Sequence, residues 1–288
     1  MSQRSDRRGA LRFGAHLGCM SATGLLVWLS LPYWYLLLPA MALHGVAIVR
    51  MFAPMHECVH RTAFASRLAN DLVGWIAGVL SFYNSTFYRH FHAWHHRYTQ
   101  ERDPELMNPK AGSRWQYCRE MTGINFWGRR AIDYPSLALG RARGLPFVPD
   151  SARRSIALSM SMQLLVYAAG WASIALGSGA VLYYWFMPVV LAQPFLRALL
   201  IVEHTGCSQN RNGLTNTPHD LDRVPDPIPD VEHAVPLLMW NMPYHAEHHL
   251  CPAVPFHRLP ALHRLLREKL EHVAPSYRAA KRAVIHSL

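Results

Sequence analysis

The chain has 288 residues, of which 51% are hydrophobic and 16% charged, and it carries a formal net charge of +11. That is more apolar and less charged than an ordinary soluble protein, with room for one large domain or two smaller ones. The cations flank apolar stretches and form no nucleic-acid-binding motif, which excludes a nucleic-acid partner and points to membrane orientation and anionic lipid.

Residues 1–13 read as a cytoplasmic basic arm with Arg4, Arg7, Arg8 and Arg12. From Gly14 to Val49 there is no Lys, Arg, Asp or Glu. That run is too long for one crossing of about 20 residues and fits two. A helical hairpin is therefore expected over about 14–55, turning near Leu31, Pro32 and Tyr33. Because the apolar run is long and no small-residue cleavage site comes after it, the first helix should stay in the membrane.

A second charge-free run, Ser155 to Leu196, predicts a second hairpin over about 155–203, turning at Gly177, Ser178 and Gly179. Between the hairpins lie Arg61, Arg67, Arg89, Arg97, Lys110, Arg129, Arg130, Arg153 and Arg154. The excess of cations on loops facing the cytoplasm then puts both termini, and the segments 56–154 and 204–288, on that side. Tyr33, Trp34, Tyr183, Tyr184 and Trp185 are positioned to anchor the outer ends. The expected architecture is all-α: four transmembrane helices in two hairpins under a cytoplasmic helical cap, one membrane domain over 14–288. Five cysteines without a Cys-x-x-Cys imply no disulfide framework.

Two copies of His-x-x-His-His, at His92/His95/His96 and His245/His248/His249, accompany a His-x-x-x-His pair at His56/His60. With this histidine content, such a pattern arises by chance roughly 0.07 times per chain, so two copies are not coincidence. On an α-helix, residues i, i+3 and i+4 lie on one narrow face, so each triplet is expected to converge. The second helix of the first hairpin delivers His56 and His60 just past the bilayer, and the last spanning helix ends near His204. Every candidate ligand thus falls on one side of the membrane.

Nine imidazoles exceed the four protein ligands usual for one zinc ion, which makes two metals the economical count. Imidazole accepts iron, zinc, copper or nickel, so spacing leaves the element open. Cys58 shares the helix of His56 and His60 but points away from their face. Glu57 and Glu247 lie inside the boxes, where carboxylates can orient ligands by hydrogen bonding. His16 and His44 fall within apolar spans, where helix contacts account for them as well as function does. His90 faces away from the second box, and His219, His233, His257 and His263 share no spacing with the boxes and read as solvated or packed.

HECVH at His56–His60, HAWHH at His92–His96 and HAEHH at His245–His249 resemble the boxes of the integral-membrane fatty acid desaturase superfamily. The run from Asn241 through His249 to Pro260 resembles the third-box region of bacterial members, and Arg97-Tyr-Thr-Gln resembles the stretch just after their second box. The resemblance implies a non-haem di-iron centre at the cytoplasmic face of a bacterial inner-membrane protein. It implies O2 as co-substrate, a lipid or acyl substrate, and a separate electron donor of ferredoxin or cytochrome type. The implied metal ligands are His56, His60, His92, His95, His96, His204, His245, His248 and His249, with Glu57, Glu247 and Asn241 as supporting residues. Leu200 stands where some relatives carry an Asn, and the run Pro225–Asp230 is unusual before a third box.

The motifs do not separate desaturation from hydroxylation or ketolation of a lipid or terpenoid on the same scaffold, because Ångström-level placement of the substrate decides between them. His56-Glu57-Cys58-Val59-His60 also satisfies His-Glu-x-x-His, the pattern of a membrane zinc metalloprotease. That reading leaves both His-x-x-His-His clusters unexplained, since a hydrolytic zinc site needs only one further protein ligand. A metal carrier or permease would need polar groups lining a path at bilayer depth, and the spans offer few.

Overall fold

The computed structural model describes residues 1–98, 113–142, 144–201, 225–226, 235–267, 272–273 and 277–286. Ser5 caps the first helix by accepting a hydrogen bond from the Arg8 amide (3.3 Å), the role a short hydroxyl side chain plays at a helix start. Helix α1, Asp6–Ser30, therefore begins well before the charge-free run and takes most of the basic arm into the helix. The chain turns at residues 31–33, as expected, into α2, Trp34–Val49, and α3, Phe52–Val59, nearly continues it.

Among the described residues, three helical segments are long and apolar enough to cross a membrane: Asp6–Ser30, Trp34–Val59 and Asp150–Ala175. The last is a short 3-10 turn leading into α8, Arg153–Ala175. Gly177, with φ +92, makes the second turn at the place the sequence put it, in a conformation that only glycine adopts without strain. A five-residue π-helical turn, Leu182–Phe186, then leads into α9, Met187–Leu200.

The most extensive helix pairing is α2 with α9. It depends on Gly45: a Cβ there would fall 1.9 Å from the carbonyl oxygen of Pro188. The two intramembrane histidines fasten this region. His44 Nε2 donates to the Tyr184 carbonyl (3.1 Å), which leaves Nδ1 of the neutral ring to accept from the Thr23 hydroxyl (2.8 Å). His16 Nε2 donates to the Ala47 carbonyl (2.9 Å). Both are buried inter-helix staples, the bland reading of an ionisable group at this depth.

Between the hairpins lie α4, Arg67–Ser81; α5, Ser85–Tyr98; α6, Arg114–Met121; and α7, Ile124–Ala138. After α9 come α10, Val235–Met239; α11, His245–Leu250; α12, Leu259–Leu266; and α13, Tyr277–His286. The unusual proline-rich run contributes to the only strand pair among the described residues: Pro225 and Asp226 pair in parallel with His272 and Val273. The main core runs from Ile48 through Phe91 to Leu200 and closes over Trp240 and Phe256.

Candidate metal centre

Three helices bring the boxes together. Helix α3 presents His56, with His60 as its C-terminal cap, one turn apart. Helix α5 is preceded by Asn84, whose Oδ1 accepts the Phe87 amide (2.9 Å), and its far end carries His92, His95 and His96. The short α11 carries His245, His248 and His249.

The eight box histidines fall into two adjoining groups: His56, His60, His92, His96 and His248 form one, and His95, His245 and His249 the other. Within each group, one ring nitrogen per residue lies within 4.8 Å of all the others. The groups touch where His96 stacks on His249, ring centroids 4.1 Å apart. The His-x-x-His-His triplets were expected each to converge; the structure divides both. Successive helical residues are turned by about 100°, so the last two histidines of a triplet diverge while the first and last nearly align. His92 and His96 accordingly face one group and His95 the other. In the third box the assignment is exchanged, His245 and His249 facing the second group and His248 the first.

A metal fits this arrangement. His96 Nε2 lies 3.0 Å from His92 Nε2 and 3.1 Å from His248 Nε2. Two imidazoles bound to one ion at roughly 2.1 Å and at right angles would be about 3.0 Å apart. Both ring nitrogens of the buried His56, Nε2 of His60, and Nδ1 of His92 and His248 have no hydrogen-bond partner, although buried polar nitrogens ordinarily find one. Burial, reinforced by neighbouring imidazoles, holds His60 and His245 down to about 3 and His248 well below the usual histidine range. Those three rings are thus neutral near pH 7, the form that binds a metal.

The supporting residues named from the sequence take unexpected partners. Glu57 Oε2 accepts from the Thr62 hydroxyl (2.8 Å) and from the Phe256 amide (3.3 Å), while its other oxygen stays 3.9 Å from His56 Nδ1. Asn241 Nδ2 donates to the Phe256 carbonyl (2.9 Å). Glu57 and Asn241 thus pin both backbone groups of one residue, Phe256, which packs on Trp240 at 4.7 Å between ring centroids. Glu247 is fully buried and accepts from His263 Nδ1 at 2.5 Å.

His263, expected to be solvated or merely packed, is therefore joined to the third box. Its signal was present: His263 lies in the same helical stripe as Leu259, Leu262 and Leu266, where a polar residue needs a buried partner. Cys58 is buried and points into the contact with α4, where a Cβ on Gly74 would lie 2.9 Å from its own Cβ. His90 joins neither group. His204 lies outside the described residues.

The zinc-protease reading fits poorly here, since His56 and His60 are joined by three further imidazoles rather than one ligand. Comparison with known proteins agrees. A sn-1 oleoyl-lipid 12-desaturase of Synechocystis sp. is 26% identical over 268 residues, covering 86% of this chain and 72% of that protein. A chloroplastic omega-6 fatty acid desaturase of Glycine max is 26% identical over 271 residues, covering 86% and 60%. A sn-1 oleoyl-lipid 12-desaturase of Picosynechococcus sp. is 25% identical over 200 residues, covering 66% of this chain. The chain spans 56% of the length of that last relative. Residues 26–281 match the sequence profile described as Fatty acid desaturase, and the chain belongs to that family.

Proposed function

We propose that this protein is a membrane-bound, O2-dependent desaturase that uses two non-haem iron ions to remove hydrogen from a fatty acyl chain carried on a lipid. The observation that carries the reading is the pair of adjoining histidine groups, assembled from three separated boxes in a chain of this family. Two bound irons would supply the reduction of dioxygen and the abstraction of hydrogen from an unactivated C–H bond.

The chain's own residues do the rest. The larger group would hold one ion through His56, His60, His92, His96 and His248, and the smaller would hold the other through His95, His245 and His249. His204, four positions beyond Leu200 in the sequence, is proposed as a ninth ligand. Tyr88 stacks on His92 (5.0 Å between centroids, 15° between planes) and Phe91 on His95 (6.4 Å, 17°), which fixes both rings. Glu57, Asn241 and the Glu247–His263 pair hold the third-box segment against the first. Four crossings are proposed, the fourth made of the π turn and α9, with both termini and the metal centre at the cytoplasmic face of a bacterial inner membrane and residues 14–288 as one domain. Electrons come from a separate ferredoxin or cytochrome.

The test is expression in a bacterium with a simple lipid profile, an oleoyl lipid being the first substrate to try, and then mass spectrometry of the acyl chains. A product two hydrogens lighter, together with two irons per chain, is the expected result. A product one oxygen heavier would reassign the enzyme as a hydroxylase. A single zinc per chain with no oxidised product would overturn the reading.

A further inference from the structure

We infer that α4 and the beginning of α5 form a re-entrant hairpin that enters the bilayer from the metal-centre side and returns, with Leu68, Leu72 and Ile76 against lipid acyl chains. Sequence patterning alone assigned this stretch to the cytoplasmic cap.

Depth is the first observation. Tyr167, fourteen residues into α8, donates its hydroxyl to the Val79 carbonyl (3.0 Å). Trp185 Nε1 donates to the Leu80 carbonyl (2.9 Å). Trp185 adjoins Tyr184, whose carbonyl is held by His44, itself bonded to Thr23, seventeen residues into α1, so these two aromatics lie within the layer and not at the outer end where the sequence places them. At 1.5 Å per residue those markers lie about 20–25 Å from the starts of α8 and α1. The end of α4 is therefore on the order of 15–20 Å inside a hydrocarbon layer about 30 Å thick.

The second observation is how that end is finished. Besides Val79 and Leu80, the Phe82 carbonyl accepts from the Tyr134 hydroxyl (2.6 Å) and the Tyr83 carbonyl from Gln163 Nε2 (3.2 Å). Side chains from α7, α8 and the π turn thus satisfy four main-chain oxygens around a left-handed residue, Phe82, with φ 60. At a surface, water would serve. Non-helical backbone at bilayer depth persists only where protein satisfies it.

Composition agrees. No charged residue occurs from Leu72 to Tyr88, and the two residues that bound this run, Asp71 and Arg89, pair at 2.6 Å, closing the mouth of the hairpin. Leu68, Leu72 and Ile76 recur every fourth residue on one face of α4 and are 68%, 54% and 45% exposed. At 15 residues and about 22 Å, α4 is too short to cross and must turn back. A face at this depth in the layer meets hydrocarbon. The second histidine box then approaches the metal centre from the bilayer side.

The inference rests on α1 and α8 as membrane crossings, not on the proposed reaction, and its test needs no metal. Nitroxide labels are placed singly by Leu68→Cys, Leu72→Cys and Ile76→Cys in the full chain, in liposomes, with Cys19, Cys118, Cys207 and Cys251 changed to Ser. Relaxation by oxygen should exceed relaxation by a water-soluble nickel chelate, increasingly so from position 68 to 76. Leu25→Cys and Arg7→Cys give the lipid and aqueous references. A position 76 label as open to the chelate as position 7 overturns the inference. So does a label shielded from both relaxants, which would mean that a second copy or another protein covers the stripe. Unsubstituted protein gives an independent reading: a lipid with a mid-chain diazirine should crosslink to the tryptic peptide Leu68–Arg89, and absence of adducts there counts against the hairpin.

Discussion

The division of each histidine triplet between two groups predicts opposite outcomes for adjacent residues of one helical turn. A four-ligand zinc site binds with about 10–16 kcal/mol, so each ligand contributes about 3–4 kcal/mol, or roughly 10²–10³ in affinity. His96→Ala takes the larger group from five imidazoles to four, the complement that commonly suffices for a metal. His95→Ala takes the smaller group from three described imidazoles to two. After dialysis against a chelator of intermediate strength, His96→Ala should retain close to two metals per chain and His95→Ala close to one. The third box should show the reverse order along the chain, with His248→Ala retaining metal and His245→Ala and His249→Ala losing it. Metal is counted by mass spectrometry on protein whose thermal unfolding confirms that it is folded. Equal losses at positions 95 and 96, or a greater loss at 96, would refute the two-group reasoning.

Three further outcomes rest on particular contacts. Glu57→Ala should destabilise the protein by about 1–3 kcal/mol by stranding the buried Phe256 amide, whereas Glu57→Gln keeps an acceptor there and should cost about 1 kcal/mol or less; equal unfolding midpoints for the two variants would contradict this. Gly45→Ala should cost about 1–3 kcal/mol or more by forcing α2 away from α9, while Gly14→Ala, with nothing within 4 Å of the new methyl, should not destabilise. In metal-free protein, His60 and His245 titrate near 3 rather than the ordinary 6.5, so the unfolded chain binds more protons below pH 6.5 and stability falls as pH drops from 6.5 towards 3. Each group contributes about 1.4 kcal/mol per pH unit in that window. Thermal unfolding of stripped protein at pH 7 and pH 5.5 measures it, and an unchanged midpoint would argue against neutral, buried rings.

Much of the fold was legible because local chemistry determined it. The hairpin turns at residues 31–33 and at Gly177 come from turn-forming residues between charge-free runs. The boxes were legible because helical spacing puts imidazoles within reach of one another. The features that escaped lie in tertiary contact. The partners that finish α4 stand 88 and 105 positions away in sequence, and a 15-residue apolar helix looks like any amphipathic segment of a cap. The exchange of ligand faces between the second and third boxes depends on how α5 and α11 are rotated against each other, which no spacing rule encodes. Spacing marks Glu57 and Glu247 only as carboxylates inside the boxes; their hydrogen-bond partners, Phe256 and His263, reach them only through the fold.

The same contacts explain why the third box can be so short. Helix α11 has six residues, well under the length at which an isolated helix holds itself together in water. Its own sequence cannot hold three imidazoles in register, so its position is imposed from outside. Glu57 and Asn241 fix Phe256 just beyond it, and His263 fixes Glu247 within it. Glu57 belongs to the first box, so the carboxylate that anchors the third-box segment is placed by the same helix that delivers His56. The groups are thereby interdependent: neither can form from fewer than two of the three boxes. A metal bound in either would cross-link segments separated by well over a hundred positions, and its affinity is part of the stability of the assembled fold.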